Sequence, residues 1–151
     1  MVILIVDDSK AMRRIVIHAL KLAGITASAT PLFPKELFQT SSKNRIAGHS
    51  GVCPVRHHLL EAENGREALQ LIPFCHPDLV ISDWNMPEMK GIDLLRTLRR
   101  TGEAVPFGFI TSENGPEIRE EAFAAGAAFV ITKPFTPRLF NLALQPLLSR
   151  N

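Results

Sequence analysis

The chain has 151 residues, 46% apolar and 21% charged, with 17 basic against 15 acidic side chains and a formal charge of +2. That is the size and composition of one globular domain, which excludes wholesale disorder and collagen-like repeats. The balance of charge makes no electrostatic case for nucleic acid, and no apolar run approaches the roughly 18–20 residues of a membrane span.

Residues 2–6 form a near-continuous apolar run, as expected of a parallel strand covered on both faces. Ser9 is placed to cap a helix over 10–23, where Met12, Ile15, Val16, Ala19, Leu20 and Leu22 recur at helical spacing and Gly24 stops the run. Residues 26–56 break the alternation. They carry Pro31, Pro34, Pro54, Gly48, Gly51 and Thr40-Ser41-Ser42, and their one acid, Glu36, stands against Lys35, Lys43, Arg45 and Arg56. A loop that long is uncommon in a compact domain, so the stretch reads as an insertion with a short helix over 35–39.

A weak strand follows at 59–62, then a helix over 64–72 ended by Pro73. Next come a strand at 79–82 and a helix over 89–99, with Leu94, Leu95 and Leu98 inward and Arg96, Arg99 and Arg100 outward. A strand at 105–110 leads to a helix over 116–125 that opens on Pro116. A last strand at 127–131 precedes a helix capped by Thr136, which Pro146 is expected to end or kink near Gln145. This alternation means an α/β fold with an open, doubly wound parallel sheet, and one domain over 1–151 with 26–56 inserted in it.

Ligands of such sheets bind outside the carboxyl ends of the strands. The residues ending the runs are Asp7-Asp8, Asp83, Thr111-Ser112 and Lys133-Pro134. If the strands are neighbours, three carboxylates crowd one small site, and a hard divalent cation, Mg²⁺, relieves their repulsion. With an ammonium and a hydroxyl donor beside them, these are the parts of phosphoryl transfer to an aspartate. Each residue alone has a plainer reading: a turn aspartate, a solvated lysine, a threonine cap. The case rests on their coincidence at one sheet edge.

Val2-Ile3-Leu4-Ile5-Val6-Asp7-Asp8-Ser9, Pro77-Asp78-Leu79-Val80-Ile81-Ser82-Asp83-Trp84-Asn85-Met86-Pro87, Ile110-Thr111-Ser112 and Thr132-Lys133-Pro134-Phe135 occur in that order. Together they resemble the receiver domain of two-component response regulators, closest to stand-alone chemotaxis-type receivers, over residues 1–25 and 58–148. The resemblance implies a flavodoxin-like sheet of order 2-1-3-4-5. It implies Asp83 as phosphoacceptor, and Mg²⁺ held by Asp7, Asp8, Asp83 and the backbone carbonyl of Asn85. It also implies Thr111 as the switch hydroxyl, Lys133 as the lysine that pairs with the phosphoryl group, and a cis bond before Pro134.

The implied partners are a sensor histidine kinase or phosphotransfer protein and a downstream protein. The latter would read the face of the fourth helix, fifth strand and fifth helix. No direct nucleic-acid contact and no membrane insertion are implied. Such a protein is not an enzyme in the ordinary sense: it catalyses its own phosphorylation and slowly loses the group.

The sequence departs from the family at Val130, where an aromatic switch residue is usual, at Lys90, where an acid commonly precedes Gly91, and in 26–56. Nothing follows the last helix, so no attached output domain is expected. A cytoplasmic location is expected from the missing signal peptide and from Cys53 and Cys75 read as free thiols. The rival readings are a receiver-like docking scaffold that never cycles and a Mg²⁺-dependent aspartyl-phosphate phosphatase. The phosphatase class carries Asp-x-Asp after its first strand, whereas Asp83-Trp84-Asn85 comes later here. His49, Cys53, His57 and His58 suggest a transition-metal site by spacing, but Gly48, Gly51 and Pro54 favour scattered loop residues. His18 is read as a packing or partner-facing residue, and Trp84 as an exposed residue at the site's rim.

Overall fold

A computed structural model describes residues 1–25, 27–28 and 57–149. In chain order the elements are β1 (Val2–Val6), α1 (Lys10–Leu22), β2 (Ala27–Ser28), β3 (His57–Ala62), α2 (Gly65–Cys75) and β4 (Leu79–Ser82). Then come α3 (Gly91–Arg100), β5 (Phe107–Thr111), α4 (Pro116–Ala124), β6 (Phe129–Thr132) and α5 (Pro137–Leu148). The strands form one sheet in the order β2-β3-β1-β4-β5-β6, and every pairing is parallel. Without the two-residue edge strand β2 this is the five-stranded order 2-1-3-4-5. β2 itself lies at the start of the stretch read as an insertion, where no strand was expected. The rest of that stretch, with the 35–39 helix, His49 and Cys53, lies outside the described residues.

Period-two alternation sorts the strand side chains into two cores. Leu4, Val6, Leu60, Val80, Phe107, Phe109 and Val130 face α2, α3 and α4, whose Ala68, Leu71, Leu94, Leu95, Leu98 and Ala122 cover them. Ile3, Ile5, Leu59, Ile81, Ile110, Phe129 and Ile131 face α1 and α5, covered by Val16, Leu20, Phe140 and Leu144. Gly108 is the exception that makes room: the Phe129 ring lies across it, where a Cβ would collide.

The caps at Ser9 and Thr136 stand where the sequence puts them, and Asn64, read as the first helical residue, is a third cap. Ser9 accepts from the Met12 N–H, Asn64 from the Glu67 N–H and Thr136 from the Leu139 N–H. Both internal prolines correct the expected helix ends. α2 runs through Pro73 to Cys75, and α5 runs through Pro146 to Leu148. A proline's φ is itself helical, and it removes one hydrogen bond toward the preceding turn. Both prolines are exposed, so water can serve the freed carbonyl. The ladder resumes with His76 N–H to Ile72 and Ser149 N–H to Gln145.

Candidate functional site

The parallel ladder itself builds the site. Past the last paired residues of β1 and β4, Val6 and Ser82, the Asp83 N–H still donates to the Val6 carbonyl at 2.8 Å. The Asp7 N–H donates to Ala62 at 3.1 Å, and the Lys133 N–H to Thr111 at 2.7 Å. These bonds place residues from three separate strand ends along one carboxyl edge. The Lys133–Pro134 bond is cis.

Asp7, Asp8 and Asp83 each bring a carboxylate oxygen to within 4.8 Å of the others. Asp7 is buried, Asp83 half-buried and Asp8 exposed, so the cluster opens to solvent on one side. Lys133 Nζ stands 3.1 Å from Asp83 Oδ2 and 3.3 Å from Asp7 Oδ2. The other oxygens are held by the main chain: the Ser9 N–H donates to Asp7 Oδ1 at 2.8 Å and the Trp84 N–H to Asp83 Oδ1 at 2.7 Å.

Burial pushes the Asp83 carboxyl above the ordinary aspartate value. The charge and hydrogen bond of Lys133 oppose the shift, and the negative charge of Asp7 adds to it. An aspartate held high in the folded state keeps a proton that the unfolded chain releases, so stability falls as pH rises through that window. Asp83→Asn is therefore expected to raise the melting temperature at pH 7 in EDTA by a few degrees. The gain should vanish below the ordinary aspartate value, where both forms are neutral. Melts across pH test this, and an unchanged or lower melting temperature at pH 7 contradicts it.

Of the residues singled out in the sequence, Asp7, Asp8, Asp83 and Lys133 come together. Thr111 is 1% exposed, and its hydroxyl oxygen accepts from the Glu113 N–H at 3.1 Å. It shares no hydrogen bond with Asp83 among the described residues. Asn85 lies at the mouth, where its amide donates to Glu113 Oε1 at 2.7 Å and so spans the loops after β4 and β5.

Trp84 contradicts its expected place at the rim. It is 4% exposed and packs tilted against Phe109, with ring centroids 4.9 Å apart and planes at 57°. The Gly91 N–H donates to the Trp84 carbonyl, folding the loop back so that the ring enters the core. Lys90 is exposed and precedes α3 without a side-chain cap. His18 is exposed on α1. Among the described residues Cys75 is a free thiol, and burial pushes it up to about 11.

Sequence reasoning passed over Arg13. It is buried on the apolar stripe of α1, and a cation in register with Val16 and Leu20 was the available signal.

The chain matches the response regulator receiver domain model over residues 55–145. It belongs to that family. The receiver is 31% identical to chemotaxis protein CheY1 of Helicobacter pylori, over the whole chain and 99% of that protein. It is 30% identical to chemotaxis protein CheY of Pseudomonas aeruginosa, over 99% of this chain and 98% of that one. The solved structure of CheY4 from Vibrio cholerae aligns with a TM-score of 0.68 at 28% identity, covering 97% of each chain. The receiver's acidic cluster is the one that its sequence motifs point to, and its five main strands follow the flavodoxin-like order. No helix among the described residues is long and apolar enough to cross a membrane.

The donor set suits a hard cation. Three aspartates offer oxygen ligands only, one of them open to water, and Mg²⁺ favours one or two carboxylates with several retained waters.

Proposed function

We propose that this receiver is a stand-alone response regulator of the chemotaxis type that accepts a phosphoryl group on Asp83. The observation that carries the reading is the Asp83 carboxylate, lodged 3.1 Å from Lys133 Nζ and inside a three-aspartate cluster. The donor is the phosphohistidine of a sensor histidine kinase or phosphotransfer protein. An Asp83 oxygen attacks phosphorus, the phosphorus–nitrogen bond breaks, the imidazole leaves, and an acyl phosphate remains.

Asp7, Asp8, Asp83 and the backbone carbonyl of Asn85 would hold Mg²⁺, which would supply neutralisation of the phosphoryl oxygens. Lys133 pairs with one of those oxygens. The Trp84 N–H on Oδ1 keeps the carboxylate in one orientation. The Thr111 hydroxyl, whose oxygen accepts from the Glu113 N–H, donates its proton to the phosphoryl group, biasing a pre-existing equilibrium toward the active form. Slow hydrolysis of the acyl phosphate resets the protein.

The output is a changed face made of α4, β6 and α5, read by a downstream protein in the cytoplasm. Arg119 of α4 donates to the Val130 carbonyl of β6 at 3.1 Å, so the helix and strand are already tied where an aromatic residue is usual. Phe123, Leu139 and Leu142 are exposed on the two helices.

The test is incubation with a small-molecule phosphodonor and Mg²⁺, followed by intact mass. One phosphoryl adduct is expected on the wild type and none on Asp83→Asn. A wild type without adduct, or an Asp83→Asn protein that still gains one, would refute the assignment.

A further inference from the structure

We infer that Arg13 is a positioning residue for the aspartate pair, acting through the peptide group that joins Asp7 to Asp8. Arg13 is 5% exposed, a guanidinium inside the protein at the first turn of α1. Its Nη1 donates to the main-chain oxygen of Asp7 at 2.8 Å, and that bond is buried. Its Nε donates to Glu61 Oε2 at 2.6 Å, and Nη2 reaches Glu63 Oε1 at 3.4 Å. The Arg13 N–H meanwhile donates to the Ser9 carbonyl, which fixes the side chain's own base.

The consequence follows from connectivity. The oxygen that Arg13 holds belongs to the peptide whose nitrogen carries Asp8, and both side chains are candidate ligands. β1 has ended there, so among the described residues no neighbouring strand accounts for that oxygen. The Asp7 carboxylate has its own holders, Ser9 and Lys133, whereas exposed Asp8 has none of these. Turning this peptide plane would move Asp8 away from Asp7 and Asp83. A planar fork can hold a carbonyl and a carboxylate together, and an ammonium cannot do so in the same geometry. Glu61, on β3 opposite Ile5, supplies the countercharge that makes a buried guanidinium tolerable.

The inference rests on the Mg²⁺ reading above, and calorimetric titration of Mg²⁺ into the unphosphorylated protein separates the two. Wild type, Arg13→Met, Arg13→Lys and Leu144→Ala are compared well below their melting temperatures. Leu144→Ala truncates the core under α1 and α5 and serves as a destabilised control. Arg13→Met is expected to weaken Mg²⁺ binding about tenfold or more, the usual scale for a group that orients a ligand. Leu144→Ala is expected to stay within about twofold of the wild type on that same scale. If Arg13→Met does not fold, Arg13→Lys carries the test, with a severalfold loss expected. Arginine variants within about twofold of the wild type, or no weaker than the core control, overturn the inference alone. A wild type that binds no Mg²⁺ overturns the metal reading itself.

Discussion

Gly91→Ala is expected to cost about 3 kcal/mol of stability and to disable Asp83, although residue 91 carries no chemistry of its own. A Cβ there would overlap the main-chain oxygen of Asp83 and stand 2.9 Å from Ser82 Oγ and 3.0 Å from the Phe109 ring. Main chain cannot swing aside as a side-chain tip can. That oxygen is also held by the Ser82 hydroxyl at 2.8 Å, and Gly91 itself bonds Trp84. The new methyl must push α3 off the sheet or push the end of β4 away from Lys133.

Either movement spoils a carboxylate whose two oxygens are fixed at 2.7 and 3.1 Å. The expected result is a melting temperature lower by about 6–12 °C and phosphorylation slowed beyond what the fraction unfolded explains. Gly102→Ala is the control. Its φ is 86° with open space around it, so it costs only left-handed backbone strain, about 1–2 kcal/mol, and should leave phosphorylation unchanged. Equal phosphorylation rates in the two folded variants would contradict the account.

Lys133→Met is expected to bind Mg²⁺ more tightly and to be phosphorylated more slowly. In the unphosphorylated protein the ammonium bridges Asp7 and Asp83, so it competes with a cation for the same oxygens. Two unit charges ~4 Å apart interact by about 4 kcal/mol at an effective dielectric of 20, so a gain of about tenfold or more in Mg²⁺ affinity is a modest expectation. Asp83 should move further up, because Lys133 is what now opposes the effect of burial.

The chemical step behaves in the opposite way. A donor aimed at the developing phosphoryl charge is worth about 10²-fold or more when removed. Calorimetry of the unphosphorylated protein and phosphodonor kinetics at saturating Mg²⁺ measure the two effects separately. If Lys133 were only a neutralising strut, affinity would rise while the rate held. Unchanged affinity would mean that the metal does not sit among these oxygens.

The fold and much of the site were legible because their signals are short and local. An apolar run ending in Asp-Asp, another ending in Asp83 and a third followed by Lys-Pro state both the strands and their functional edge. Parallel strands buried on both faces leave few polar positions, so those that remain at the ends stand out. The caps at Ser9 and Thr136 were equally local, since each depends on an N–H three residues away. The helix ends at Pro73 and Pro146 were misjudged for a related reason: the rule concerns one lost hydrogen bond, and an exposed helix side loses little by it.

Other features depended on partners far along the chain. Trp84 looks like a loop residue beside a polar site, and only the return of the chain at Gly91 and the presence of Phe109 turn it into core. The sequence marks Arg13 as a charge on an apolar stripe and nothing more. Its carbonyl partner is six residues back and its carboxylate partner is 48 residues on. By itself, then, the sequence determined the alternation, the strand ends and the chemical types gathered there, because these follow from periodicity and neighbouring residues. Only the tertiary structure decided that three aspartates meet within 4.8 Å beside one ammonium, and which buried groups hold them in place. Those distances are set by strand register and packing between segments that no local rule connects.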